Sequence, residues 1–184
     1  MMLRFAVVAL ALALAGCNQQ SATQEDASGA PQLDAPAPES ETSRVYAAAN
    51  DAARAVAPEL TVSVTQEFPD AADADIQERL SLRGGNGLNV SALVTDVTSP
   101  ATQVGGQTLR ALLGLSVDES SLVVYRVTEA AGSPGLCSEG TLTSVVVWEP
   151  SSPSETAMKI LGLTGGMPGA ADARACQLLE YQRS

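Results

Sequence analysis

The chain has 184 residues, 45% of them apolar but only 3% aromatic, and a formal net charge of −11 from 10 basic and 21 acidic side chains. That balance disfavours nucleic acid, where basic side chains must displace counterions from phosphates, and it disfavours docking on an anionic membrane face. Histidine is absent, which excludes Ser-His-Asp and Cys-His catalysis and any histidine-ligated zinc site.

Residues 1–17 begin with a short positive region containing Arg4, continue through an apolar run from Phe5 to Leu14, and end in Ala15, Gly16 and Cys17. The run is about half of the ~20 residues that a helix needs to cross a bilayer, and it fits the hydrophobic segment of a secretory signal. Leu14-Ala15-Gly16-Cys17 resembles the lipobox of bacterial lipoprotein precursors: a large aliphatic residue, two small ones and the cysteine that is modified. The resemblance implies that residues 1–16 are a signal peptide cleaved before Cys17, whose thiol carries the diacylglyceryl group. It also implies that Asn18, standing where an aspartate commonly signals inner-membrane retention, directs the protein to the outer membrane on its periplasmic side. With each buried methylene contributing about 0.8 kcal/mol, two or three acyl chains on Cys17 would hold the protein at the membrane. An ordinary cleaved signal followed by a chance cysteine, or an uncleaved anchor, is the competing reading.

Residues 18–40 hold one large apolar side chain, Leu33, with three prolines, four acidic residues and no basic one. A stretch that buries so little cannot offset the entropy of ordering it, so 17–40 is expected to be the lipidated cysteine and a disordered linker. A flexible chain of this length spans roughly 25 Å root-mean-square.

From residue 41 to 184 the composition is that of a single globular domain. Thr42 or Ser43 as N-cap, Val45, Ala49, Ala52 and Val56 on one face and Pro58 as stop predict a helix of about four turns. The period then changes to two: Leu60, Val62, Val64 and Phe68 alternate with Thr61, Ser63, Thr65 and Glu67, predicting a strand with one wet face. "IQERLSLR" and "LNVSALVTDV" flank "GGNG", where Asn86-Gly87 suits a tight hairpin turn. Leu109, Leu112 and Leu113 predict a short helix within 107–115, and strands are expected at 121–128, 141–149, 156–164 and 175–181, with "PSSPS" as a hairpin loop. A helix followed by strands with short links predicts an α+β fold, an antiparallel sheet with the N-terminal helix and the short second helix packed on one face.

The three cysteines are an odd count, which in an exported protein flags a free or intermolecular thiol. With Cys17 lipidated, Cys137 and Cys176 remain as a disulfide pair in an oxidising compartment. As metal ligands they lack the histidine or third cysteine needed to complete a site. The stretch from "GLCSEG" through "GGMPG" to "ACQLLEY" resembles the C-terminal part of uncharacterised exported proteins of proteobacteria that pair two such cysteines around a hairpin. That likeness also implies the pairing, and implies no activity.

Candidates for chemistry are few. Thr156 lies three residues before Lys159, but on a strand the two side chains point to opposite faces, so the lysine is expected to be solvent-facing. Asp70, Asp73 and Asp75 offer oxygen ligands for a hard cation without the glycine turn or final glutamate of a calcium loop, and suit a solvated loop or a helical cap better. Neither glycine cluster has the spacing of a phosphate cradle. Tyr46, Phe68, Tyr125, Trp148 and Tyr181 are expected to serve the core. No catalytic, cofactor-binding or metal-binding residue is assigned, and no cofactor. The expected function is that of a non-catalytic, lipid-anchored envelope lipoprotein whose domain contacts another envelope protein or the wall. A periplasmic module binding a ligand or cation through acidic loops is the alternative, and a carboxylate-based hydrolase the third.

Overall fold

The structure is a computed structural model, and it describes residues 41–67, 77–152 and 155–184. Eight antiparallel strands close a barrel: β1 (Glu41–Ala48), β2 (Glu59–Glu67), β3 (Gln77–Gly84), β4 (Asn89–Thr98), β7 (Leu122–Ala131), β8 (Leu142–Trp148), β9 (Ala157–Thr164) and β10 (Arg174–Arg183). Each strand pairs with its neighbours in sequence, and β10 returns to β1 with Tyr46 opposite Arg183 and Ala48 opposite Tyr181. This is up-and-down barrel topology, in which closure removes both sheet edges. Between β4 and β7 the chain makes a small excursion: the two-residue strands β5 (Gln103–Val104) and β6 (Gln107–Thr108), then α2 (Leu109–Leu113). A six-residue helix, α1 (Asp51–Val56), joins β1 to β2.

Alternation along the strands sorts the apolar side chains into two clusters, one on each side of the barrel wall. Tyr46, Leu60, Leu80, Leu82, Ile160 and Tyr181 face the interior, where α1 adds Ala53 and Val56. On the outer face of β7 to β10, Leu122, Val124, Val146, Leu161 and Leu163 pack against Val104, Leu109 and Leu113 of the excursion and Ala173. β8 and β9 are therefore covered on both faces, and "SVVVW" and "MKILGL" read as nearly continuous apolar runs rather than clean alternation.

The expected α+β sheet with an N-terminal helix is corrected to a closed β-barrel, because residues predicted as the first turns of that helix form β1. There Thr42, Arg44, Tyr46 and Ala48 point inward while Val45, 40% exposed, points out. A charged residue on the inner face and a valine on the outer one hide the period of two, and the alanines then favour a helical reading. Only the last part of that segment is helical. Asn50 caps α1 by accepting from the Ala53 amide at 2.8 Å, and its Nδ2 donates to the Leu178 carbonyl at 3.2 Å, tying the helix to β10. The short second helix is where the leucine spacing puts it, with Leu109 and Leu113 buried, Thr108 as N-cap and Gly114 in the left-handed conformation after it. The expected hairpin is β3–β4, where Gly87 takes φ +88° and Asn86 turns its side-chain amide to the Val56 carbonyl at the end of α1.

One end of the barrel is sealed. α1, Leu88 and Leu136 occupy it together with Cys137 and Cys176, whose Cα atoms stand 5.4 Å apart, at disulfide distance, and beside them lies a depression of about 220 Å³ lined by Leu88, Val90, Leu136 and Cys137 and by no charged side chain. The cysteine pair as expected from the residue count thus ties the β7–β8 connection to β10. Cys176 sits at a bulge between Ala175 and Gln177, directly over Gly162 of β9. A Cβ on Gly162 would lie 3.0 Å from one Sγ and 3.2 Å from the other, so any larger residue there would push the pair away from the wall by a few tenths of an ångström.

Candidate functional site at the open end of the barrel

At the opposite end no helix or loop among the described residues plugs the interior. The inward-facing rows finish there in polar residues: Thr42 and Arg44 on β1, Glu78 at the start of β3, Tyr125 on β7 and Glu149 just after β8. They surround a cavity of about 290 Å³ whose floor is Val62, Val64, Leu80 and Val147, with Tyr46 in its wall. The rows are set by strand register. Val145 and Val147 on the inner side of β8 and Glu149 just after it occupy alternate positions, and Arg44 faces Val62 across the β1–β2 pair.

Two tyrosine–carboxylate bonds organise the mouth. The Tyr46 hydroxyl donates to Glu149 Oε1 at 2.5 Å, and the Tyr125 hydroxyl donates to Glu78 Oε1 at 2.6 Å. Arg44 pairs with the second oxygen of Glu149 at 3.4 Å, with both side chains partly exposed. Arg183, opposite Tyr46 on β10, lies beyond Glu149 in an adjoining surface depression that Arg44 also lines. The mouth is thus polarised: cations flank the Tyr46–Glu149 side, while among the described residues no cation pairs with Glu78. Its neighbour Arg79 turns to the outer face, where it donates to Ser91 Oγ at 3.0 Å.

The phenols are held neutral. Burial, and then the hydrogen bond and charge of Glu78 with a further contribution from the Glu149 charge, push Tyr125 well above the usual phenol value of about 10. Burial and the Glu149 bond raise Tyr46 in the same way. Tyr181, further from the rim on the inner side of β10, is pushed up to about 12 by burial. Its hydroxyl is buried without a hydrogen-bond partner among the described residues, an arrangement that costs roughly 1–3 kcal/mol unless something supplies the partner. The mouth therefore offers carboxylate acceptors and aromatic faces above an aliphatic floor, with water partly excluded.

Cys17 and the Asp70, Asp73 and Asp75 loop lie outside the described residues, as does Phe68. Cys137 and Cys176 are together, at the sealed end. Lys159 is not the plain solvent-facing lysine expected. Its side chain is 19% exposed, and Nζ donates to the Leu113 carbonyl at 2.7 Å and the Gly114 carbonyl at 3.4 Å. It also pairs with Glu180 at 3.4 Å and lies 5.7 Å from the centre of the Trp148 ring. A cation at these carbonyls complements the C-terminal end of α2, so Lys159 fastens the excursion to the barrel. Among the described residues no three His, Cys, Asp or Glu side chains stand close enough to hold a metal ion.

Sequence reasoning missed Arg44, Glu78 and Glu149, and assigned Tyr46 and Tyr125 to the core alone. The available signal was a charged residue falling in phase with an apolar row, as Glu149 does after Val145 and Val147. No protein-family model, curated protein or solved structure matches the chain, so what the mouth can do rests on its own chemistry.

Proposed function

We propose that the protein is an exported lipoprotein, anchored through acyl chains on Cys17 to the periplasmic side of the outer membrane, whose barrel is a non-catalytic binding cup. The observation that carries the cup is the cavity of about 290 Å³ at the open end, where ionisable and aromatic groups converge over an apolar floor. That combination marks small-molecule and side-chain binding sites, and the volume lies at the small end of their range. A flexible linker of residues 18–40, with a root-mean-square span of roughly 25 Å, would let the barrel reach off the membrane surface. A protein or wall component of the envelope could then be served by presenting one side chain or terminal group to the cup.

Metabolic labelling with palmitate tests the anchor. The wild type should carry label and Cys17→Ala should not; equal labelling of the two, or labelling of neither, would remove the anchor from the account.

Because Glu78 and Glu149 line one cavity, a second reading is supported, a hydrolase working with this carboxylate pair. It differs in its readout. Glu78→Gln and Glu149→Gln would each abolish turnover of a substrate that the wild type cleaves, whereas a binding cup consumes nothing.

A further inference from the structure

We infer that the cup takes a protonated primary amine on a short aliphatic stem, with Glu78 as its counter-charge. This rests on the reading of the open end as a binding site and adds the chemical class of the occupant.

Three observations favour a cation. Glu78 is the mouth carboxylate with no cationic partner among the described residues, while Glu149 already meets Arg44. An anion seated on this side would face Glu78 at once, and the charge of Glu149 also reaches Tyr125. The floor of Val62, Val64, Leu80 and Val147 gives an alkyl stem apolar surface to cover, with Tyr46 and Tyr125 in the walls beside it. An ammonium carries three donors and no acceptor. Glu78 supplies an acceptor in the cavity wall.

The experiment is calorimetric titration of the full chain in a non-ionic detergent with three probes of matched size, n-butylammonium, n-butanol and butyrate, and with Nα-acetyl-lysine methylamide, whose side chain ends in the same butylammonium. Butylammonium should bind at least tenfold more tightly than butanol, and butyrate should not bind. Glu78→Gln should weaken butylammonium about tenfold and leave butanol unchanged, while Glu78→Asp, which keeps the charge, should retain selectivity for the amine. Binding of the lysine derivative as tight as that of butylammonium makes a protein side chain the source of the amine; its exclusion makes the source a free amine. Both results support the class. Butanol or butyrate binding as well as the amine would overturn the inference and leave the cup standing. Binding of no probe would overturn both. The selectivity of the unmodified chain decides the matter even where Glu78→Gln fails to fold.

Discussion

At one end of the barrel α1, Leu88, Leu136 and the Cys137–Cys176 pair close the space between the strands and leave only an uncharged depression; at the other, the same inward rows end in Arg44, Glu78 and Glu149 over a cavity. The sealed end follows the economy of a core. Its apolar groups are out of water, the Asn50 and Asn86 side chains bond to backbone carbonyls, and Gly162 yields its side chain to let the sulfur atoms approach. The open end departs from that economy. It holds two carboxylates, an arginine and two phenols where aliphatic residues would complete the core. Ionisable groups stand there where they can meet something outside the chain, and the binding cup proposed above rests on that contrast.

The largest effect should come from breaking the sealed end. Replacing both Cys137 and Cys176 by serine removes a cross-link closing about 40 residues, worth about 4 kcal/mol by chain-entropy reasoning, and chemical denaturation should show a loss of that order. Amine binding at the mouth should survive in the fraction that stays folded.

Alkaline titration examines the inner wall as a whole, because all three tyrosines of the chain lie in it. Each has a folded-state value above that of the unfolded chain, so the neutral phenol is favoured by folding. The stabilisation is fully present below pH 10 and is lost as pH rises through the folded values. For Tyr181, raised to about 12, the loss between pH 10 and 12 is on the order of 2–3 kcal/mol. Phenolate absorbance should therefore rise late and together with the loss of circular dichroism. A tyrosine ionising reversibly near pH 10 in the folded chain would contradict its placement.

Lys159→Met should cost about 1 kcal/mol, since it removes a partly buried charge-assisted bond to the last carbonyls of α2. Hydrogen exchange should show the opening confined to the excursion between β4 and β7. Glu78→Gln should have the smallest effect on stability, within about 0.5 kcal/mol, because the Tyr125 hydroxyl can still donate to the amide oxygen. A large destabilisation by this substitution would make the mouth a structural network and erase the contrast between the ends.

Much of the barrel was legible in the sequence. β2 is announced by Leu60, Val62 and Val64, the β3–β4 hairpin by Asn86-Gly87, α2 by its leucines, and the later strands by their apolar runs. Closure was not, because it depends on β10 pairing with β1 across almost the whole domain, and β1 carries Arg44 inward and Val45 outward. The same departure from pattern that concealed the strand is part of the mouth. Glu78 and Tyr125 meet only through the barrel, 47 residues apart in sequence, and no local spacing announces them. The cysteine count, by contrast, needed no three-dimensional information to bring Cys137 and Cys176 together.

The central claim is that the open end receives a ligand and the sealed end does not. Amide chemical-shift mapping of the full chain during titration with n-butylammonium tests it most directly. The account predicts saturable shifts concentrated at Thr42 to Tyr46, Glu78 to Leu80, Tyr125 and Val147 to Glu149, with Leu88, Leu136 and Cys137 unmoved. Shifts centred on the sealed end, or scattered over the outer surface without saturation, would contradict it.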